Sequence, residues 1–197
     1  MTFVHANDPS MSNLGYTRKD LDFYPTPAWV TEAVIPYLRF YIDRGTPVWE
    51  PACGDGAMSE VLKDRFDNVT STDIANYGYG QAGVDFLALN VHVRGLVITN
   101  PPYGDLAEAF VRQGLKVTER YQGVVAMLMR HEYDTAKGRV DLFNKPPFAT
   151  KVVLTTRPRW IEGSTGAPRH SYAWYLWSWK HKRAPEVFYH VRGGKSE

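Results

Sequence analysis

Six consecutive residues, Thr99-Asn100-Pro101-Pro102-Tyr103-Gly104, combine side chains that can do chemistry with a backbone that can hold them still. Neither proline has an N–H, so the segment can join neither a helix nor a central strand. Asn100, standing before a proline, is pushed out of the helical region. The arrangement suits methyl transfer to a planar amine. An exocyclic amine on a heteroaromatic ring is a poor nucleophile because its lone pair is delocalised into the ring. The Asn100 amide oxygen and the backbone carbonyl of Pro101 or Pro102 can each accept one N–H, which favours a pyramidal nitrogen. The Tyr103 ring can stack on the heterocycle and hold it in place. The alternative is a tight turn after a strand.

Those residues need a strand end to stand on. Gly95-Leu96-Val97-Ile98 is an apolar run that reads as a buried strand ending at Thr99, and in an open α/β sheet ligands bind at carboxyl ends. Pro47-Val48-Trp49-Glu50 reads as an earlier strand, followed by the turn Pro51-Ala52-Cys53-Gly54-Asp55-Gly56 and a helix through Met58, Val61 and Leu62. The third glycine of the dinucleotide pattern is absent, and acids flank the turn. Carboxylates there repel a pyrophosphate but suit a cofactor with an amino group and hydroxyls, of which S-adenosylmethionine is one. Glycines needed only for close packing are the alternative. Val69 to Thr72 is a β-branched strand ending at Asp73, with Ile74 beside it, at an offset of 19 residues from Gly54. About 20 is expected for a ribose-binding carboxylate, and a helix cap is the alternative. Asp85 can accept from an adenine amine while Phe86 packs on the ring, or the pair is a loop acid beside a core aromatic. An acid or amide thus follows each of four successive strand-like segments.

As a set, Glu50-Pro51-Ala52-Cys53-Gly54-Asp55-Gly56, Asp73, Asp85-Phe86 and Asn100-Pro101-Pro102-Tyr103 resemble the class I S-adenosylmethionine-dependent methyltransferases, and among them the DNA adenine-N6 enzymes. Tyr24-Pro25-Thr26-Pro27 is similar to the cofactor motif that precedes the glycine turn when the cofactor half comes first. The resemblance covers roughly residues 22 to 130. It implies an α/β, Rossmann-like, mostly parallel seven-stranded sheet with helices on both faces and a C-terminal antiparallel hairpin. It implies S-adenosylmethionine held by Tyr24, Thr26, Pro27, Glu50, Pro51, Ala52, Gly54, Gly56, Asp73, Ile74, Asp85, Phe86 and Asn100. Catalysis is then expected at Asn100, Pro101, Pro102 and Tyr103 on a base extruded from DNA, with no metal. The chain has no room for the sizeable recognition domain such enzymes usually carry, so it looks closer to compact phage-type adenine methylases, or to a catalytic module that borrows its specificity, with a specificity subunit or a homodimer as the expected assembly. The same loop occurs in enzymes acting on RNA base amines and on protein glutamine amides, which stay open as substrates. A non-catalytic cofactor-fold subunit is disfavoured by the intact Asn100 and Tyr103, and a dehydrogenase by the missing glycine.

Outside the motifs, residues 1–21 are polar and read as a tail, and 22–197 as one domain. Thr26 is the expected N-cap of a helix that starts at Pro27 and runs to about Arg39, shortened or kinked by Pro36. Leu106 to Thr118 keeps helical spacing, and Gly123 to Met129 reads as a buried strand. It runs into Arg130-His131-Glu132-Tyr133, Lys137 and Arg139, a set that can meet phosphates or form a solvated helix face. Lys151 to Thr156 and Ser171 to Trp179 are expected to pair as the last two strands, in an antiparallel hairpin. Its loop carries Arg157, Arg159, Trp160 and Arg169, a basic and aromatic mixture suited to backbone charge and base stacking. Trp174 and Trp177 are expected in the core.

The whole chain is 197 residues, 44% hydrophobic and 22% charged, with net charge +2, the composition of an ordinary globular domain rather than of a strongly basic nucleic-acid binder. Its basic residues thicken from Lys145 onward, which points to one positive side. Cys53, the single cysteine, excludes an internal disulfide and fits a reducing cytoplasm. No run approaches a membrane span, and the first residues lack the charged and apolar regions of a signal peptide.

Overall fold

The computed structural model describes residues 24–193, apart from 145, 161–164 and 166. The expected tail over 1–21 lies outside the described residues. Seven strands form one sheet: β1 Val48–Glu50, β2 Val69–Ser71, β3 Leu96–Thr99, β4 Val124–Arg130, β5 Phe148–Leu154, β6 Tyr172–Ser178 and β7 Glu186–His190. Their order across the sheet is β2-β1-β3-β4-β6-β5-β7. All neighbours pair in parallel except β6, which runs against both β4 and β5. The central strands are near-continuous apolar runs because both faces are covered. One face, with Val48, Ile98, Leu128, Trp174 and Leu176, packs under α1 (Ala28–Glu32), α2 (Ile35–Leu38) and α3 (Ala57–Lys63). The other, with Trp49, Val97, Met127 and Trp177, packs under α4 (Asp105–Glu119) and the short α5 (Val140–Phe143). Both expected core tryptophans are fully buried, with their indole N–H groups donating to the Val30 and Leu142 carbonyls at 2.8 Å. Truncating either to Ala costs about 3–5 kcal/mol.

Three expectations are corrected. The stretch Gly83 to Leu87 is not strand-like. Asp85 accepts the Leu87 N–H at 2.9 Å and caps a 3₁₀ turn, Phe86–Ala88. Only an isolated bridge, Thr72 to Gln81, extends the sheet on that side. The seventh strand is instead β7, which the sequence reading missed. The β5–β6 hairpin therefore does not end the sheet, and the chain passes on to lie parallel to β5. Finally, Pro27, not Thr26, is the N-cap residue of α1, no side chain caps that end, and the expected single helix is split in two at Ala33–Val34. Pro36 sits in the first turn of α2, where its missing N–H costs nothing.

Candidate functional site

The carboxyl ends of β1, β2 and β3 bring together residues far apart in sequence. β3 ends at Thr99, and Asn100 follows on the stiff Pro101-Pro102 loop before Gly104, at φ +72°, opens α4. The Thr26 side chain, freed from capping, does something else. Its hydroxyl accepts from Asn100 Nδ2 at 3.3 Å, across 74 residues of chain. With the amide nitrogen so engaged, Oδ1 is the end left for other donors, and the Tyr103 hydroxyl meets it at 3.4 Å. Tyr103 itself is half-buried. Burial, and then the neighbouring Tyr172 hydroxyl, hold its phenol well above the ordinary range, so it is a neutral ring and donor rather than a base.

The glycine turn is built at the same edge. Gly54 and Gly56 have φ of +54° and +89°, values that favour glycine. A Cβ on Gly56 would come within 2.5 Å of the Tyr79 ring. Tyr79 is held over the turn by its hydroxyl on Glu60 at 2.5 Å and by Lys63 Nζ at 4.8 Å from its ring. Asp73 ties the end of β2 to this turn, accepting Gly54 N–H and Ala75 N–H at 2.9 Å each. With the Ile74 N–H also turned to it, the carboxylate is held by backbone donors and keeps acceptor capacity. Burial raises its pKa. Ile74 beside it is 45% exposed, an apolar group facing outward at a strand end. The loop from Glu50 to Ala57 carries no cation, so its chemistry fits amines and hydroxyls better than phosphates.

Glu50, expected among the cofactor contacts, is the last residue of β1. It is buried, accepts from the Ser59 hydroxyl of α3, and Ser59 also meets Ser71 of β2 at 2.5 Å. Burial, and then the charges of Asp73 and Asp55, push its pKa well up. It braces strand and helix from beneath the turn. Phe86 is likewise an inward residue, 2% exposed between Trp49 and Phe110 at 5.2 and 5.1 Å. Pro51, Gly54 and Gly56 are buried in the turn, and Ala52 and Pro27 are half-buried.

Around Tyr103 stands an aromatic group that the sequence only partly shows. Tyr24 lies 6.2 Å from Tyr103 and 6.3 Å from Trp160, and Tyr172 lies 6.2 Å from Tyr103 and 4.9 Å from Trp160. Tyr172 was missed. Its alternation with Trp174 and Leu176 puts it on the same face as Ile98, and that was the available signal. Arg130 is exposed and meets His170 Nδ1 at 3.0 Å, while exposed Arg157 donates to the Pro168 carbonyl at 3.2 Å. Arg159 and Arg169 are exposed on the same hairpin connection.

The basic residues after Lys145 do not share one side. Lys151 is 8% exposed, with Nζ on the Asp134 carboxylate at 2.7 Å and on the His131 carbonyl at 2.9 Å, where Tyr175 also donates. Lys180, Lys182 and Arg183 follow Ser178, which pairs with Val124 at the amino end of β4. Lys145 and Lys195 lie outside the described residues.

The geometry has counterparts among solved structures. A Listeria monocytogenes protein assigned as a class I S-adenosylmethionine-dependent methyltransferase aligns over 89% of this chain and 67% of its own, with a TM-score of 0.61 and 15% identity. The fold is that of the class I methyltransferases. A Pyrococcus horikoshii protein assigned as an RNA methyltransferase shares this methyltransferase fold over 86% of this chain and 95% of its own, with a TM-score of 0.64 and 16% identity. The M protein of the type I restriction enzyme EcoKI does so over 81% and 44%, with a TM-score of 0.57 and 14% identity. The chain spans less than half of that restriction subunit. No family model matches the chain, and no curated protein matches its sequence. Among the described residues no helix is long and apolar enough to cross a membrane, and no group of acids, histidines or cysteines could hold a metal ion.

Proposed function

We infer that the chain is an S-adenosylmethionine-dependent methyltransferase acting on the exocyclic N6 amine of adenine in DNA. The observation that carries this reading is the Thr26–Asn100–Tyr103 chain of contacts at the end of β3. Thr26 engages the amide nitrogen and so leaves its oxygen as the acceptor, and that oxygen holds a long bond to Tyr103, which a substrate amine can replace. Asn100 Oδ1 then accepts one amine N–H and the Pro101 carbonyl the other, turning the nitrogen lone pair out of the ring plane. Asp73, with its remaining acceptor capacity, suits ribose hydroxyls, and Ile74 an adenine face. S-adenosylmethionine, when bound, supplies a methyl group already activated by its sulfonium. Asp73 and Ile74 would hold that cofactor, and the amine that Asn100 and the Pro101 carbonyl orient would receive the methyl and give up its proton to solvent. Positioning by Asn100 and Tyr103 therefore carries the rate.

An RNA base amine is the second reading. It is favoured by the alignment over nearly the whole length of the Pyrococcus protein assigned as an RNA methyltransferase. Methyl transfer from labelled cofactor to duplex DNA, RNA and protein, run in parallel with wild type and Asn100→Ala, decides. Transfer to DNA adenine that disappears in the variant supports the first reading. Transfer only to RNA supports the second, and transfer to neither nucleic acid overturns both.

A further inference from the structure

β7 is the outermost strand, and among the described residues no strand pairs with its outer edge. One of its faces is covered, because Phe188 packs 5.0 Å from Tyr37 and 6.3 Å from Phe40, and Arg192 lies 4.9 Å from the Trp29 ring. The other face has no cover among the described residues. Val187, Tyr189 and Val191 are 52%, 68% and 60% exposed, and at alternate positions they share it. The backbone points the same way. The His190 carbonyl accepts the Thr155 N–H at 3.1 Å and so faces the β5 side. The pleat then turns the amide groups of Val187, Tyr189 and Val191 to the open edge. Apolar side chains beside unpaired amides make a template for another strand.

The sequence about Tyr189 complements itself. Pairing β7 antiparallel with a second β7 about a two-fold axis at Tyr189 sets Val187 opposite Val191 and Glu186 opposite Arg192. All three outward-facing residues then fall at hydrogen-bonded positions, apolar residues face apolar ones, and opposite charges meet at both ends. Neighbouring registers lose this. An axis at Val187 brings Pro185, with no N–H, opposite Tyr189, and an axis at Val191 sets His190 against Arg192. We propose that the chain forms a two-fold homodimer through β7, its sheet continuing across the axis into a second copy.

Sedimentation of the full chain at micromolar concentration tests this. Wild type sediments as a dimer. Glu186→Arg alone, or Arg192→Glu alone, places like charges at both ends and weakens the dimer about tenfold or more. The double variant Glu186→Arg/Arg192→Glu restores it, which a misfolded chain could not do. Tyr189→Cys cross-links under mild oxidation, because two-fold mates at a hydrogen-bonded position lie about 5.5 Å apart, and the native Cys53 is buried. Val187→Cys does not, its mate being about 15 Å away, four residues along the strand at ~3.4 Å each and one strand spacing across. A monomer overturns the proposal, in favour of an intramolecular cover if its β7 amides resist exchange. A dimer that the double charge swap does not restore overturns it as well.

Discussion

Where β1, β2 and β3 end, side chains add joins to the backbone ones: Ser59 on Glu50, Asp73 on the Gly54 N–H, Asn100 on Thr26. Where β3 and β4 begin, the joins are made by backbone. A Cβ on Gly95 would stand 2.1 Å from the Pro47 oxygen, one on Gly123 would stand 2.6 Å from the Gly95 oxygen, and Trp179 N–H closes on the Gly123 carbonyl at 3.2 Å. Backbone contact alone leaves no space between strands, whereas the added side-chain joins leave acceptor capacity at the carboxyl end. Both ends are basic. At the amino end, however, Arg94 and Arg120 lie 5.0 and 5.8 Å from the chain's own Tyr121 ring. At the carboxyl end, exposed Arg130 pairs across the sheet with Tyr172 and exposed Arg159 precedes Trp160, both of the aromatic group with Tyr24 and Tyr103. Positive charge by itself does not distinguish a working end from a structural one; the company it keeps does.

Breaking the carboxyl end costs rate. Asn100→Ala is expected to slow single-turnover methylation ~10²–10³-fold, about 3–4 kcal/mol of barrier, with cofactor affinity and melting temperature near wild type in calorimetry. Breaking the amino end costs stability instead. Gly95→Ala forces a side chain onto φ +106° and against the Pro47 carbonyl. It should lose about 2–3 kcal/mol in urea unfolding while the rate per folded molecule holds. An equal loss of both properties in either variant would erase the distinction between the ends. Charge sharpens it further. Arg157→Ala/Arg169→Ala should flatten the salt dependence of DNA binding by about one unit of slope per lost phosphate contact, and Lys180→Ala/Arg183→Ala should leave the slope unchanged.

The smallest effect concerns protons. Burial, and then Asp73 and Asp55, raise the pKa of Glu50 above its ordinary 4.5. The folded chain therefore keeps a proton that the unfolded chain releases. Stability from this group is fully present below about pH 4.5 and falls as pH rises toward the raised value. Glu50→Gln, neutral throughout, should show a shallower decline than wild type in urea unfolding between about pH 5 and pH 7. Asp73, raised in the same direction by burial, supplies the decline that remains. Parallel curves would mean that Glu50 is ionised in the fold.

β1, β3 and β4 were legible in the sequence because a strand buried on both faces is a continuous apolar run bounded by glycine or proline. Asn100 to Tyr103 could be read for a similar reason, since two prolines dictate a loop wherever they stand. The Thr26–Asn100 bond could not be read, because its partners are 74 residues apart and a threonine before Pro27 looks like a cap. Lys151 looked like surface charge, and only Asp134, arriving from another strand end, reveals it as buried. The single basic side failed for a topological reason. β6 runs antiparallel and carries the chain from one end of the sheet to the other, so neighbours in sequence such as Arg169 and Lys180 part company. β7 was passed over because its apolar residues alternate with polar ones over only five positions.

The place of β6 has a consequence for synthesis. β4 and β5 are never neighbours; the strand between them is made later than both. A nascent chain that has emerged only as far as Pro168 carries Val124–Arg130 with one long bare edge, apolar at every position but the last, and β5 with nothing to join it to the sheet. Arrival of Tyr172–Ser178 closes both edges in one step. Until then a neighbouring chain can donate the missing strand as readily as the chain itself.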